Sequence, residues 1–222
     1  MAWYNFMRRK YKASKRYVTR RYTRRRAHAK LYHFPTKVAV FGAPNVGKTT
    51  ITRRFTQKDY PDDFQKVTEV YKVTITTKCE DGVSCKHDLS LHDTPGSLRG
   101  MLPDLYEAVI RKSDTFIIVF ALDDHDSMNL VFRTLHDLYN VKGEHVPVLI
   151  VANKSDLASN DEESIQERFK FYKEISKKDY PCIEVSSKQV ANFKDHWLPI
   201  LVELERRQGV RNEHGRPVYI GD

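Results

Sequence analysis

Acidic residues are absent from the first 58 positions of this chain; the first is Asp59. Residues 1–37 hold 13 Lys/Arg and no acid, so local ion pairs cannot neutralise them. Cysteine is scarce. Cys79, Cys85 and Cys182 are odd in number and follow no metal-ligand spacing, which argues against a disulfide scaffold and a structural zinc site. The nine histidines are scattered, and none sits at ligand spacing with a cysteine. An odd thiol count without a leader-like segment fits a reducing compartment. No apolar run approaches the roughly 20 residues that a membrane span needs. There is no internal repeat and no low-complexity core.

What is present suits one globular unit. At 222 residues and 40% hydrophobic, the chain can bury one good core, and length alone allows one or two domains. Strand-like and helix-like stretches alternate, which predicts an α/β fold with a mostly parallel sheet and helices on both faces. Val67–Thr77 and Lys86–His92 flank Glu80-Asp81-Gly82, whose Asp-Gly predicts a hairpin turn and one antiparallel pair at the sheet edge.

Gly42-Ala43-Pro44-Asn45-Val46-Gly47-Lys48-Thr49 reads G-x-x-x-x-G-K-T, directly after the apolar run Val38-Ala39-Val40-Phe41. Such a loop cradles phosphate when a strand precedes it and a helix follows. Gly42 and Gly47 let the backbone curl so that N–H groups face an anion. Lys48 brings a fixed positive charge, and the Thr49 hydroxyl suits Mg²⁺. The helix predicted from about Lys48 to Lys58, Thr50 included, aims its positive dipole end at the same anion.

Asn153-Lys154-Ser155-Asp156 (N-K-x-D) follows the apolar strand Val148–Ala152. A guanine edge offers two adjacent donors, and the single carboxylate of Asp156 can accept both. Adenine would leave that buried carboxylate unpaired, a penalty of about 1–3 kcal/mol. Asn153 would tie this loop to the phosphate loop, and the Lys154 stem would cover one face of the base. Leu89-Ser90-Leu91-His92 alternates as a strand and leads to Asp93-Thr94-Pro95-Gly96, or D-x-x-G. There Asp93 would hold Mg²⁺ through water, and the Gly96 N–H would meet a γ-phosphate.

Taken in this order, the three motifs resemble those of the Ras-like small GTPases, over about Thr36 to Arg207. The resemblance implies a P-loop GTPase fold with a six-stranded sheet, and a switch that binds GTP or GDP with Mg²⁺. Phe116–Ala121 followed by Asp126-Ser127 looks like the family's fourth strand and third helix. Glu184-Val185-Ser186-Ser187-Lys188 is similar to its E-T-S-A-K loop, so Ser186, the Ser187 backbone and Lys188 are expected against the guanine. Val190 to Arg207 looks like the last helix, and Tyr60 stands where the family places an aromatic edge-on to the base. The resemblance gives catalytic importance to Lys48, Thr68 and Gly96, with Thr49, Thr68 and Asp93 around the metal. Thr68 fits only with a one-residue shift. Effectors and regulators are expected at Tyr60–Tyr71 and Asp93–Tyr106 of a monomer.

Departures from the family bear on activity. Ser97 stands where the family has the Gln that orients the attacking water, and serine is too short for that task. Pro44-Asn45 replaces two glycines, and Pro44 lies where a partner's arginine finger would enter. Slow hydrolysis and a long-lived GTP state are therefore expected. A non-hydrolysing, GTP-bound scaffold is the alternative. A further alternative uses the same residues, because P-N-V-G-K-T with D-T-P-G looks like the Era-like ribosome-assembly GTPases, where an asparagine at the position of Asn45 helps hold potassium.

The charge divides the chain into a basic arm (1–35), a nucleotide-binding domain (36–208) and a tail (209–222). Beyond residue 37 there are 25 Lys/Arg against 29 Asp/Glu, so the net charge of +9 comes from the arm. Trp3, Met7, Tyr11, Val18 and Tyr22 share one face of a helical projection, with basic residues around the rest. That pattern suits an anionic membrane surface through residues 1–30. A solvated tail, nucleic acid or nuclear import through Arg24-Arg25-Arg26, a mitochondrial presequence and a calmodulin-like partner are the other readings. Neither prenylation nor myristoylation is expected, since no cysteine follows Cys182 and residue 2 is Ala2. The location expected is cytoplasmic, peripheral at the inner face of the plasma membrane, with nuclear and mitochondrial alternatives.

Overall fold

The computed structural model describes residues 32–56, 69–78, 84–143, 146–178, 180–188, 210–211 and 217–218. Its elements are β1 (Tyr32–Gly42), α1 (Lys48–Thr56), β2 (Glu69–Lys78), β3 (Ser84–Asp93), α2 (Leu98–Met101), α3 (Pro103–Lys112) and β4 (Thr115–Ala121). They continue with α4 (His125–Lys142), β5 (Val148–Asn153), a 3₁₀ turn (Ser155–Leu157), α5 (Glu162–Lys177), β6 (Cys182–Glu184), β7 (Val210–Arg211) and β8 (Pro217–Val218). β1 begins at Tyr32, so the strand takes in residues 32–35 that charge alone assigns to the arm. In the tail, β7 pairs antiparallel with β8, a pairing that composition did not announce.

Six strands form one sheet in the order β2-β3-β1-β4-β5-β6. Only β2 with β3 is antiparallel, and that pair lies at the edge, as the Asp-Gly turn predicts. The turn itself lies outside the described residues. β4 and β5 are buried at every position, as parallel strands covered on both faces must be. Side-chain alternation sorts the core into two layers. Val38, Val40, Leu89, Leu91, Ile117 and Val119 meet Ile51 and Phe55 of α1 on one face. On the other, Ala39, Phe41, Phe116, Ile118 and Phe120 meet Tyr106, Ile110, Val131, Leu138 and Phe171 of α3, α4 and α5.

Helix ends follow local chemistry. The Asp124 carboxylate accepts from the Ser127 N–H at 3.1 Å to start α4, and Gly143, at φ 80°, ends it. Asp161 caps α5 by accepting from the Ser164 N–H at 2.8 Å. Hydrogen bonds from Ser159 and Ser164 hold the Asp161 carboxyl down at about 2. The chain leaves β1 toward β2 and β3 on one side and toward β4 to β6 on the other. The loops after β1, β3, β5 and β6 therefore gather at one end of the sheet, where such folds bind ligands. Among the described residues no helix is long and apolar enough to cross a membrane.

Candidate nucleotide-binding site

Three positive φ values occur within six residues beginning at the last residue of β1, at Gly42 (147°), Asn45 (61°) and Gly47 (93°). Both glycines are also required by space. A Cβ on Gly42 would sit 2.1 Å from the Val119 carbonyl oxygen of β4, and one on Gly47 would sit 2.3 Å from the Asn153 side-chain nitrogen. The loop is thus wedged between two strands, with Val46 buried and Pro44 and Asn45 at its exposed tip. Ala43 and Thr50 are half-buried to either side.

Lys48 is only 7% exposed, and its Nζ donates to the Ala43 carbonyl at 2.6 Å. Burial pushes its ammonium down to about 8, against the pull of Asp93 in the other direction. A buried, easily neutralised lysine at the mouth of such a loop is an incomplete charge pair, and an anion there would restore its full charge. Thr49 Oγ1 donates to Asp93 Oδ2 at 2.5 Å, which brings the phosphate loop and the D-x-x-G segment to one point. The Thr94 hydroxyl donates to the Val40 carbonyl at 2.6 Å and locks the end of β3 onto β1. A Cβ on Gly96 would come within 2.3 Å of the Pro44 nitrogen, so the D-x-x-G turn lies directly on the phosphate loop. Ser97 is exposed and starts α2, and its side chain makes no capping bond.

Asn153 closes the site. It is fully buried at the end of β5; its Nδ2 donates to the Val46 carbonyl at 2.8 Å, and its Oδ1 accepts from the Ser187 N–H at 3.0 Å. One amide therefore joins the phosphate loop, the N-K-x-D loop and the loop after β6. Lys154, in the left-handed region at φ 60°, donates to Asp123 at 3.1 Å. Asp156 is exposed, not buried as the sequence suggests, because it lies on the 3₁₀ turn beyond β5, and it accepts from the Ser186 hydroxyl at 2.6 Å. That bond, with lesser help from Lys188 and Lys154, holds its carboxyl below the usual range, ionised and ready to accept two donors. Arg54 of α1 donates to the Lys188 carbonyl at 3.3 Å.

Of the residues the sequence singles out, Gly42 to Thr50, Asp93, Gly96, Asn153, Lys154, Asp156, Ser186, Ser187 and Lys188 lie on these convergent loops. Tyr60 and Thr68 lie outside the described residues, as do residues 1–31 of the arm and the expected last helix, Val190 to Arg207. Asp123 and Arg54 escape motif reading, as do the bonds made by Thr94 and by Ser127, whose hydroxyl accepts from the Ala121 N–H at 3.0 Å. Asp123 had one usable signal, an acid just past a buried strand that neighbours the N-K-x-D strand.

A family model described as the Ras family matches residues 37–206. The chain is 28% identical over 179 residues to GTP-binding protein Di-Ras2 of Mus musculus, covering 78% of this chain and 83% of that one. It is 30% identical over 173 residues to Ras-like protein 2 of Drosophila melanogaster, covering 77% and 84%. To GTP-binding protein YPTM2 of Zea mays it is 27% identical over 176 residues, covering 79% and 83%. With its wedged phosphate loop, its guanine-type loops and this match, the chain is a member of the Ras family of small GTPases.

Proposed function

We propose that this chain is a guanine-nucleotide switch that binds GTP or GDP with Mg²⁺, hydrolyses GTP slowly and engages effectors in the GTP state. The observation that carries the reading is the Asn153 amide, bonded at once to Val46 and Ser187, which couples base and phosphate recognition in one buried unit. Asp156 would accept from guanine, with the Lys154 stem, Ser187 and Lys188 around the base. Lys48 would hold the outer phosphates and Gly96 would sense the γ-phosphate. Thr49 and Asp93 present a hydroxyl and a carboxylate with no soft donor between them, a set that suits a small hard cation. Thr68 is proposed as a further oxygen ligand. When bound, Mg²⁺ neutralises charge on the phosphate oxygens.

Slow turnover is supported by Ser97, exposed at the head of α2 with no long amide to orient water. Ser97→Gln is expected to raise single-turnover hydrolysis by about 100-fold, the low end of what a positioned group supplies; an unchanged rate would place the limit elsewhere. Regulators are proposed to dock on Asp93–Tyr106, where Met101 is 72% exposed. The arm is proposed to hold the protein reversibly at an anionic membrane surface on the cytoplasmic side.

The deciding experiment measures the nucleotide retained on purification and single-turnover GTP hydrolysis in potassium and in sodium. Guanine nucleotide with slow turnover, equal in both salts, supports the switch. Retained GTP without turnover supports the scaffold alternative. A potassium-dependent rate supports the Era-like alternative, for which the exposed Asn45 at φ 61° is the specific feature.

A further inference from the structure

Among the described residues, only Asn45 and Lys154 combine a Cβ with a positive φ, Lys154 at φ 60° and ψ 41°. A residue with a Cβ keeps that conformation only where its surroundings fix it. Three backbone bonds do so here. The Leu122 N–H donates to the Asn153 carbonyl at 2.9 Å, the Ser155 N–H to the Val185 carbonyl at 3.1 Å, and the Leu157 N–H to the Lys154 carbonyl at 2.9 Å. The near end of the lysine is thereby set. At the far end, Nζ donates to Asp123 Oδ2 at 3.1 Å, and each side chain of this pair is 29% exposed.

Asp123 is itself placed by its neighbours. It lies in the turn after β4, where Ala121 stands opposite Asn153 in register. The Leu122 bond fixes the residue before it. After it, the Asp124 N–H donates to the Ala121 carbonyl at 3.1 Å, and the Asp124 carboxylate is committed to starting α4. Asp123 is therefore the acid of this turn that meets the lysine. A lysine stem has many rotamers, and ordering it when a ligand arrives costs entropy. Holding both ends beforehand removes that cost from the binding step. A carboxylate holds an ammonium more firmly than a neutral amide of the same shape does.

We infer that Asp123 is a positioning residue for nucleotide binding, which holds the Lys154 ammonium so that the lysine stem is laid ready to cover the face of the base. The inference deepens the proposed guanine-nucleotide reading and rests on it. The role differs from that of Asp156, which accepts from the edge of the base. Guanine and hypoxanthine share a face and differ at that edge by one amine. Asp123 therefore acts alike on both, and the choice between them is left to Asp156.

The test measures the affinity of the full chain for GDP and for inosine diphosphate with Mg²⁺, from association and dissociation rates. Asp123→Asn keeps the shape and removes the charge. It is expected to weaken both nucleotides equally, by about threefold, as befits a partly exposed pair. Asp123→Lys sets two cations against each other and is expected to weaken both by about 10-fold. In a Lys154→Met chain, which keeps a stem without its charge, Asp123→Asn is expected to add less than about 1.5-fold. Tighter binding by Asp123→Asn would mean that the pair competes with the nucleotide, and would overturn the inference. So would unchanged affinity in both Asp123 variants, a loss confined to GDP, or a loss that persists undiminished in the Lys154→Met chain. A wild-type chain that binds neither nucleotide would overturn the guanine-nucleotide reading and this inference with it.

Discussion

At the end of β5, Asn153 is fully buried and spends both ends of its amide on backbone groups of other loops. In the segment after Gly96, the corresponding tie is Arg99 with Asp137, whose side chains are 46% and 20% exposed. The first arrangement has no water to fall back on, so losing one partner strands two buried groups. The second lies partly in solvent, and water can replace much of it. Buried amides thus set whether the site exists, whereas exposed ion pairs adjust how firmly a neighbouring segment is held.

The largest effect that would break this contrast is expected for Asn153→Ala. It leaves the Val46 carbonyl and the Ser187 N–H without their partner, at about 1–3 kcal/mol for each orphaned group. Thermal unfolding and nucleotide retention should both report it, and wild-type values in each would mean that water enters this corner freely.

Gly96→Ala comes next, because its Cβ would meet the Pro44 nitrogen at 2.3 Å and the Ala43 carbonyl carbon at 2.7 Å. Backbone cannot yield as a flexible side chain does, and overpacking of this kind costs about 1–3 kcal/mol. Affinity for a GTP analogue should fall more than affinity for GDP; equal losses would mean that Gly96 is only a packing residue.

Acid–base behaviour sharpens the comparison further. Lys48 is lowered to about 8 in the fold, so between that pH and the ordinary lysine value of 10.5 the folded chain binds fewer protons than the unfolded one. Stability of the ligand-free fold therefore rises with pH across that window. Nucleotide binding runs the other way, since phosphate favours the charged ammonium. Affinity is expected to weaken by up to about 10-fold per pH unit above 8. Titration from pH 7 to 9.5 checks this, and Lys48→Arg should flatten the profile.

The smallest effect is expected for Arg99→Gln, about 0.5 kcal/mol of global stability, as befits a half-exposed pair. A denaturant midpoint near wild type, together with faster local exchange, would confirm that this ion pair acts on its own segment rather than on the core. A loss matching that of Asn153→Ala would erase the distinction between the two regions.

Much of the site was legible because its chemistry is local. Gly42, Gly47, Lys48 and Thr49 occupy one turn, and their spacing states both the curl of the backbone and the anion it faces. Asn153 and Asp156 were equally plain once a buried strand preceded them. The antiparallel edge pair was announced by Asp81-Gly82, although β3 reaches back to Ser84 and β2 runs to Lys78. Other contacts carried no such signal. Arg99 and Asp137 lie 38 residues apart, and Lys142 lies 31 from Arg111. Nothing in either neighbourhood marks them as partners. The contact of Gly96 with Pro44 was likewise invisible, since Pro44 read only as an obstruction to an incoming arginine.

By itself the sequence determined the alternation that makes an α/β sheet, the glycines that let the loop after β1 curl and the uneven charge of residues 1–37. These depend on neighbours in the chain, where φ, ψ and side-chain type act over a few residues. Only the tertiary structure decided which side chains meet across the sheet: Asn153 with Val46 and Ser187, Lys154 with Asp123, Arg99 and Tyr106 with Asp137. Those pairings follow from strand order and helix packing, which bring distant positions to the same few ångströms and exclude the water that would otherwise satisfy them.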